Sequence, residues 1–361
     1  MKFTFVISLV TTLLSTSFAA TADEVNIVGD AGPHILRDLF QKWLLKHEKV
    51  YDSIEETQTR FHIWRENNSF IDGHNNKIPK PSFTLAHNAL SDLSAVEFRA
   101  RFKLGEFSPG VPSTIADDRQ KSVGIYESTK RRLRTTSNSV LPEEVDWVAA
   151  GAVTDVKDQG ACGSCWAFSA IAAMEGAKFL GSTHELVSLS EQNLIDCDHN
   201  DKGCNGGLMD NAFSWDEKHD GICSEADYPY AGKKHFLCKS KKCEKVSGTR
   251  VSNFVDVEPD DRAVRTALAK QPISVAIESH QQVFQFYSTG VFDSNLCGSD
   301  VDHGVTMVGY GTDDGKDYYK IKNSWGSSWG EDGYIRITRD SNNENGQCGV
   351  FSIVSYPEMN K

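Results

Sequence analysis

The chain has 361 residues, a formal net charge of −12, 24% charged and 39% hydrophobic residues, a balance that suits a folded globular protein with room for more than one domain. An acidic chain disfavours nucleic acid as a partner. Past the N-terminal stretch, no segment approaches the roughly 20 apolar residues needed to cross a bilayer, so no membrane anchor is expected.

The first stretch, MKFTFVISLVTTLLSTSFAA, combines Lys2, an apolar run from Phe5 to Leu14 and small residues that permit cleavage after Ala19 or Ala22. It predicts a secretory signal over residues 1–19, too short to act as a span. Residues 23–104 read as helical and hold no cysteine. Within them Glu56, Arg60, Trp64, Asn67, Ile71 and Asn75 recur at steps of four, four, three, four and four, which places all six on one helical stripe. The stripe mixes polar and apolar residues, so it is not a simple amphipathic face. Ala86, Asn88, Leu90 and Asp92 then alternate as on a short extended segment. Residues 105–140, with Gly105, Pro109, Gly110, Pro112 and the basic run Lys130 to Arg134, predict a loose, protease-sensitive linker. The Asn67-Asn68-Ser69 sequon falls on the stripe.

After Leu141 the texture changes. Residues 165–180 are rich in helix formers and stop at Gly181, and Ser188 to Ile195 predicts a second helix. From about residue 250, β-type segments dominate: 273–277, 304–310, 317–325 and 333–338. Helices first and strands later predict an α+β protein whose two halves pack separately.

All nine cysteines (162, 165, 197, 204, 223, 238, 243, 297 and 348) lie after residue 160. A secreted chain oxidises most of them, and the odd count leaves at least one thiol unpaired or bonded to another chain. In QGACGSCWAFSA (159–170), Cys162 and Cys165 stand three apart. A redox pair would follow a strand in a βαβ unit, and a zinc site needs a second ligand pair; neither context is present, so no metal is expected. A third reading gives the two cysteines different fates. Cys165 opens the 165–180 helix, where unsatisfied N–H groups and the positive dipole end favour a thiolate. A thiolate nucleophile needs a histidine and a group that orients it. His303, in DHGVTMVGYG, and Asn323, in KNSWGSSWG, supply them, and Trp325 would cover their hydrogen bond.

These residues carry a resemblance. CGSCW at 162–166, LPEEVDW at 141–147, GCNGGLMD at 203–210, SVAI at 274–277, DHG at 302–304 and NSWGSSWG at 323–330 stand in the order found in papain-family cysteine peptidase precursors of the cathepsin L type. The 56–75 stripe matches the family's propeptide motif; in the 86–92 segment Ala86 and Leu90 replace the usual Gly and Phe. The resemblance implies a two-domain fold, a helical left half and a β-barrel-like right half with the active-site cleft between, preceded by a helical propeptide. It divides the chain into a signal peptide (1–19), an inhibitory propeptide and linker (20–140) and a peptidase domain (141–361). It pairs Cys162 with Cys204, Cys197 with Cys238 and Cys297 with Cys348; Cys223 and Cys243 are then expected to bond each other, with an exchange between Cys238 and Cys243 left open.

The resemblance further implies that Cys165 attacks a peptide carbonyl, that the Cys165 N–H and the Gln159 amide meet the oxyanion, and that His303, held by Asn323, handles the proton. Gly163, Gly206 and Gly207 would present backbone to an extended substrate. Leu208, Met209, Ala276, Val301 and Gly304 would surround the specificity pocket over an Ile353 floor, Asp302 would contact the substrate, and Trp329 would line the far side of the cleft. No cofactor is expected. Partners would be peptide substrates, the chain's own propeptide and cystatin-type inhibitors, with the protein a monomer reaching a lysosome, vacuole or the extracellular space. A catalytically dead relative would lack one of Cys165, His303 and Asn323, and a stand-alone propeptide inhibitor would end near residue 110. Residues 1–140 carry 18 Lys+Arg and 16 Asp+Glu, net +2, and residues 141–361 carry 20 and 34, net −14. That split predicts an electrostatic attraction between propeptide and enzyme that acid weakens.

Overall fold

The computed structural model describes residues 32–102, 131–133, 140–181 and 184–360. The expected signal peptide and most of the linker lie outside them. The N-terminal part is helical: α1 (Pro33–Lys46), α2 (Ile54–Asn75), a short strand β1 (Phe83–Leu85) and α3 (Ala95–Phe102). Phe40, Trp43, Phe61 and Trp64 form a small aromatic core between α1 and α2.

The mixed stripe on α2 has a physical reason. It receives an extended segment running antiparallel to its own chain direction. Asn75 pairs with both backbone groups of Leu85 (2.8 and 2.9 Å). Asn67 donates to the carbonyls of Ser91 and Leu93 (both 3.0 Å), and Arg60 reaches the Asp92 carbonyl and Glu97. Buried backbone needs partners, so amides alternate with the apolar residues Trp64 and Ile71. Asn67 is itself buried, which leaves its sequon inaccessible in this folded form.

The remainder is α+β, as expected. Strand β2 (Arg131–Leu133) precedes β3 (Val145–Asp146), then come helices α4 (Cys165–Gly181), α5 (Glu191–Cys197) and α6 (Met209–Asp216). There follow β4 (Val251–Val257), α7 (Asp261–Leu268), β5 (Ile273–Ile277), α8 (Gln282–Gln285) and β6 (Tyr287–Phe292). Last are β7 (His303–Asp313), β8 (Lys316–Lys322), β9 (Tyr334–Thr338) and β10 (Val354–Met359). The sheet order is β1-β6-β9-β8-β7-β5-β10-β4-β2, with β3 against β7. Two separate cores result, one mostly helical around α4 and one on the β-rich side. Helix α4 is buried on every face from Cys165 to Lys178, in keeping with its Ala-rich, all-round apolar sequence.

Three expectations are corrected. The second helix starts at Glu191, because Ser190 is its N-cap, accepting from the Asn193 N–H (3.0 Å), while Leu189 bridges to Ser224. The strand expected at 317–325 ends at Lys322, where the chain leaves the sheet and the Asn323 N–H turns to the Gly333 carbonyl. Part of the basic run in the expected linker is a strand: residues 131–133 lie parallel on β4, whose edge would otherwise be unpaired.

The four disulfides are Cys162–Cys204, Cys197–Cys238, Cys223–Cys243 and Cys297–Cys348, and Cys165 is the unpaired thiol.

Candidate active site

Cys165 is the first residue of α4, and its thiol meets the backbone N–H groups of Gly304, Trp166 and Cys165 itself. Its position follows from the turn before it: the Cys162–Cys204 bridge and the Gly163 N–H bonded to the Cys204 carbonyl (3.0 Å) fix the chain as it enters the helix. His303 opens β7, held in register by β5, where Ile277 faces His303 and Ala276 faces Gly304. The His303 Nε2 is 2.8 Å from Asn323 Oδ1, and its Nδ1 is buried with no protein partner. Trp325 stacks on the imidazole, with centroids 4.8 Å apart and planes 23° apart. Asn323 therefore holds one ring nitrogen and leaves the other free for proton transfer.

Gln159 is wholly buried. Its Nε2 donates to the Cys162 carbonyl (2.9 Å), and its Oε1 accepts from Ser324 Oγ (2.7 Å). Ser324 also aligns the chain, since its carbonyl accepts the Gln159 N–H. The sequence reading did not single out Ser324. Its place directly after Asn323 was the available signal, and only the fold brings it to a residue 165 positions earlier.

Leu208, Met209, Ala276, Val301 and Ile353 gather in one apolar cluster beside Cys165. The Ala276 N–H donates to the Ile353 carbonyl (3.0 Å), which ties the two pocket residues together. Gly206 has φ +98°, and a Cβ on Gly207 would lie 2.6 Å from the Trp166 ring, so the side-chain-free stretch is required by packing as well as by backbone access. Two expected substrate-binding residues are turned elsewhere. The Asp302 carboxylate is turned away, accepting from the Ser279 N–H and Oγ and pairing with His280. Trp329 is buried behind Trp325, its indole N–H on the Phe284 carbonyl (3.2 Å), because the aromatic cluster of Phe284, Tyr287 and Trp325 encloses it. It supports the cleft wall and does not line it.

The N-terminal part covers this centre. Strand β1 pairs antiparallel with β6. Asn88 donates to the Gln285 carbonyl (2.8 Å), Gln285 returns to the Leu90 carbonyl (3.1 Å), and Gln282 reaches Asn67 (3.0 Å). Phe98 and Phe102, one turn apart on α3, both pack on Trp325, at 5.2 and 4.8 Å between centroids. The ion pairs Lys49–Asp92 and Arg60–Glu97 are internal to this part, and the contacts named above that join it to the rest are made by backbone, amides and aromatic rings. Burial disfavours the charged form of both reactive groups. Burial pushes the Cys165 thiol up to about 12 and, against the Asn323 hydrogen bond, His303 down to about 4.

Residues 141–358 match the family described as papain family cysteine protease, and residues 40–98 match the cathepsin propeptide inhibitor domain (I29). The chain is 40% identical to the probable cysteine protease RDL2 of Arabidopsis thaliana, over 96% of this chain and 91% of that protein. It is 41% identical to the cysteine protease XCP2 of the same plant, over 99% and 97%. Among solved structures it resembles the proform of the ragweed pollen cysteine protease Amb a 11 (34% identity, TM-score 0.78, 91% of this chain and 96% of that one). It also resembles the stem bromelain precursor (33%, 0.79, 90% and 99%). The chain belongs to the papain family of cysteine proteases and carries its inhibitory propeptide domain.

Proposed function

We propose that the protein is a secreted or vacuolar/lysosomal cysteine endopeptidase, made with a leader at 1–19, held inactive by a propeptide over 20–140, and active as residues 141–361. The observation that carries this reading is the triad geometry: a thiol at a helix N-terminus, an imidazole bonded to Asn323 at 2.8 Å, and an aromatic lid on that bond.

Once uncovered, Cys165 gives its proton to His303. The thiolate attacks the substrate carbonyl carbon and the carbonyl π electrons move to oxygen. The resulting oxyanion is met by the Cys165 N–H and by Gln159 Nε2, whose amide is held by Ser324; a donor of this kind contributes about 2.7–4 kcal/mol. The tetrahedral centre collapses, the C–N bond breaks, and His303 hands its proton to the departing amine, leaving a thioester. His303 then takes a proton from water, whose oxygen attacks the thioester, and the regenerated thiol leaves. The apolar pocket of Leu208, Met209, Ala276, Val301 and Ile353 selects an apolar side chain at substrate position P2.

The test is a Cys165→Ala chain beside the wild type, assayed on a fluorogenic dipeptide amide under reducing acid conditions, with and without an epoxide thiol inhibitor. The expected result is a folded, disulfide-intact precursor with no turnover. Turnover above background in a contaminant-free variant overturns the assignment.

A further inference from the structure

The segment Lys233 to Lys245, KKHFLCKSKKCEK, has the opposite sign to the rest of the acidic chain: six lysines against Glu244 alone. At its centre stand Phe236, 100% exposed, and Leu237, 66% exposed, the one consecutive pair of large exposed apolar side chains among the described residues. Their exposure is built in. Immediately before them the His235 N–H donates to Asp196 Oδ1 (2.7 Å), and the His235 ring meets Asp196 Oδ2 (2.8 Å). Immediately after them Cys238 is tied to Cys197, and the Lys239 N–H donates to the Tyr228 hydroxyl (3.2 Å). Cys243 is bound to Cys223 on the far side. A loop pinned on both flanks cannot fold Phe236 back into the protein, so the ring is presented to solvent at little further cost in entropy. Lys233, Lys234, Lys239, Lys241 and Lys242 flank the pair in the chain, all exposed.

An exposed apolar pair flanked by exposed lysines is the surface form of an interfacial anchor: rings enter the boundary between headgroups and acyl chains while ammonium groups meet lipid phosphates. A soluble polyanion would use the lysines and leave Phe236 and Leu237 in water, so it does not account for the apolar pair. We propose that the disulfide-pinned loop 233–245 docks this protein on anionic phospholipid surfaces through Phe236, Leu237 and the flanking lysines. Charge orients the docking, because the acidic remainder is repelled by the same surface and turns away from it. Tyr230, which precedes the loop, bonds the Gln159 carbonyl (2.7 Å) and Ser164 (2.9 Å), so the start of the loop is tied to the chain that leads into the candidate catalytic centre.

The test uses the full-length Cys165→Ala chain, which avoids self-cleavage, sedimented with vesicles of phosphatidylcholine alone or mixed two to one with phosphatidylserine. Binding is expected to the mixed vesicles only, falling as added salt shortens the screening length from about 10 to about 3 Å. The pair Phe236→Ser and Leu237→Ser should weaken it by about ten-fold or more. Lys239→Gln, Lys241→Gln and Lys242→Gln together should abolish it. The same changes in the catalytic chain should leave turnover of a small dipeptide amide unaltered, which shows that the variants fold and separates this docking from the proteolytic reading. Absence of binding to mixed vesicles overturns the proposal. So does binding that survives loss of Phe236 and Leu237; if retention on a sulfated polysaccharide shows the same lysine dependence, the loop is a polyanion site.

Discussion

At the scale of single residues, the candidate centre was legible wherever chemistry and spacing coincide in one stretch of chain. Cys165 in CGSCW, His303 in DHG and Asn323 in NSWG need few neighbours to be recognised, and the fold brings His303 and Asn323 to 2.8 Å. What was not legible depends on distant chain: Asp302 is drawn off by Ser279 and His280, and Trp329 is enclosed by Phe284 and Tyr287. The pocket carries a residue-scale prediction. Ile353 is half-buried against Leu208, Ala276 and Val301, and it should shorten the P2 site. Substrates differing only at P2 should give kcat/KM with Leu and Val above Phe, and Arg lowest, since a guanidinium entering this apolar cluster loses hydration without a paired carboxylate. Ile353→Ala should move the preference toward Phe, and Ile353→Glu should admit Arg. Arg equal to Leu in the unaltered enzyme rejects the apolar pocket; Phe well above Leu and Val removes Ile353 from its floor. On the stability side, Cys162→Ala opens the bridge to Cys204 and should cost about 2–5 kcal/mol in chemical denaturation.

At the scale of elements, periodicity located α2, α4, β5, β7 and β9 closely, because each carries its own pattern. It did not locate β4, β10 or α7 as separate elements. The alternation in β4 is incomplete, and what makes it a strand is its antiparallel partner β10, about 100 residues later in the chain. The α2 stripe was visible, but the reason for its polar positions was not, since they serve backbone 10 to 32 residues away. The propeptide elements also hold a trigger that net charge did not reveal. His87 lies flat on Trp64, 4.2 Å between centroids, and burial depresses it to about 3. His74 beside Phe83 and His47 beside Trp43 are depressed as well, first by burial. A histidine held below its unfolded value of 6.5 binds fewer protons when folded, so its contribution is whole above that pH and is lost as pH falls toward the folded value. The propeptide should therefore loosen progressively below about pH 6.5. His87→Phe keeps an aromatic ring on Trp64 and removes the titration. Followed by tryptophan fluorescence in the Cys165→Ala chain, its acid opening midpoint should move to lower pH; an unmoved midpoint would show that His87 plays no part in the release.

At the scale of the whole molecule, the propeptide histidines and a set of buried carboxyls in the peptidase part titrate in opposite senses. Three of these carboxyls, Asp198, Asp201 and Asp216, are pushed up. Burial raises Asp216 to about 7 against the hydrogen bond it accepts from the Val251 N–H (2.7 Å). Asp198 and Asp201 face each other out of water, so burial and their mutual repulsion raise Asp198, and burial raises Asp201. A carboxyl raised in the folded state binds more protons than its unfolded counterpart. Its contribution is whole below the unfolded value of 3.8 and is lost as pH rises to the folded value, near 7 for Asp216. Between about pH 4 and 6.5 acid thus weakens the contribution of the propeptide histidines and strengthens that of these three carboxyls. Release of the propeptide in acid without unfolding of the enzyme is the expected consequence. The processed enzyme, its thiol blocked by alkylation, should melt at a higher temperature at pH 5 than at pH 8. Asp216→Asn keeps an oxygen to accept from Val251 and cannot ionise, so it should raise the melting temperature at pH 8 and narrow the difference between the two conditions. A melting temperature that rises from pH 5 to pH 8, or an Asp216→Asn chain with the full pH dependence intact, would show that these carboxyls do not govern the acid tolerance.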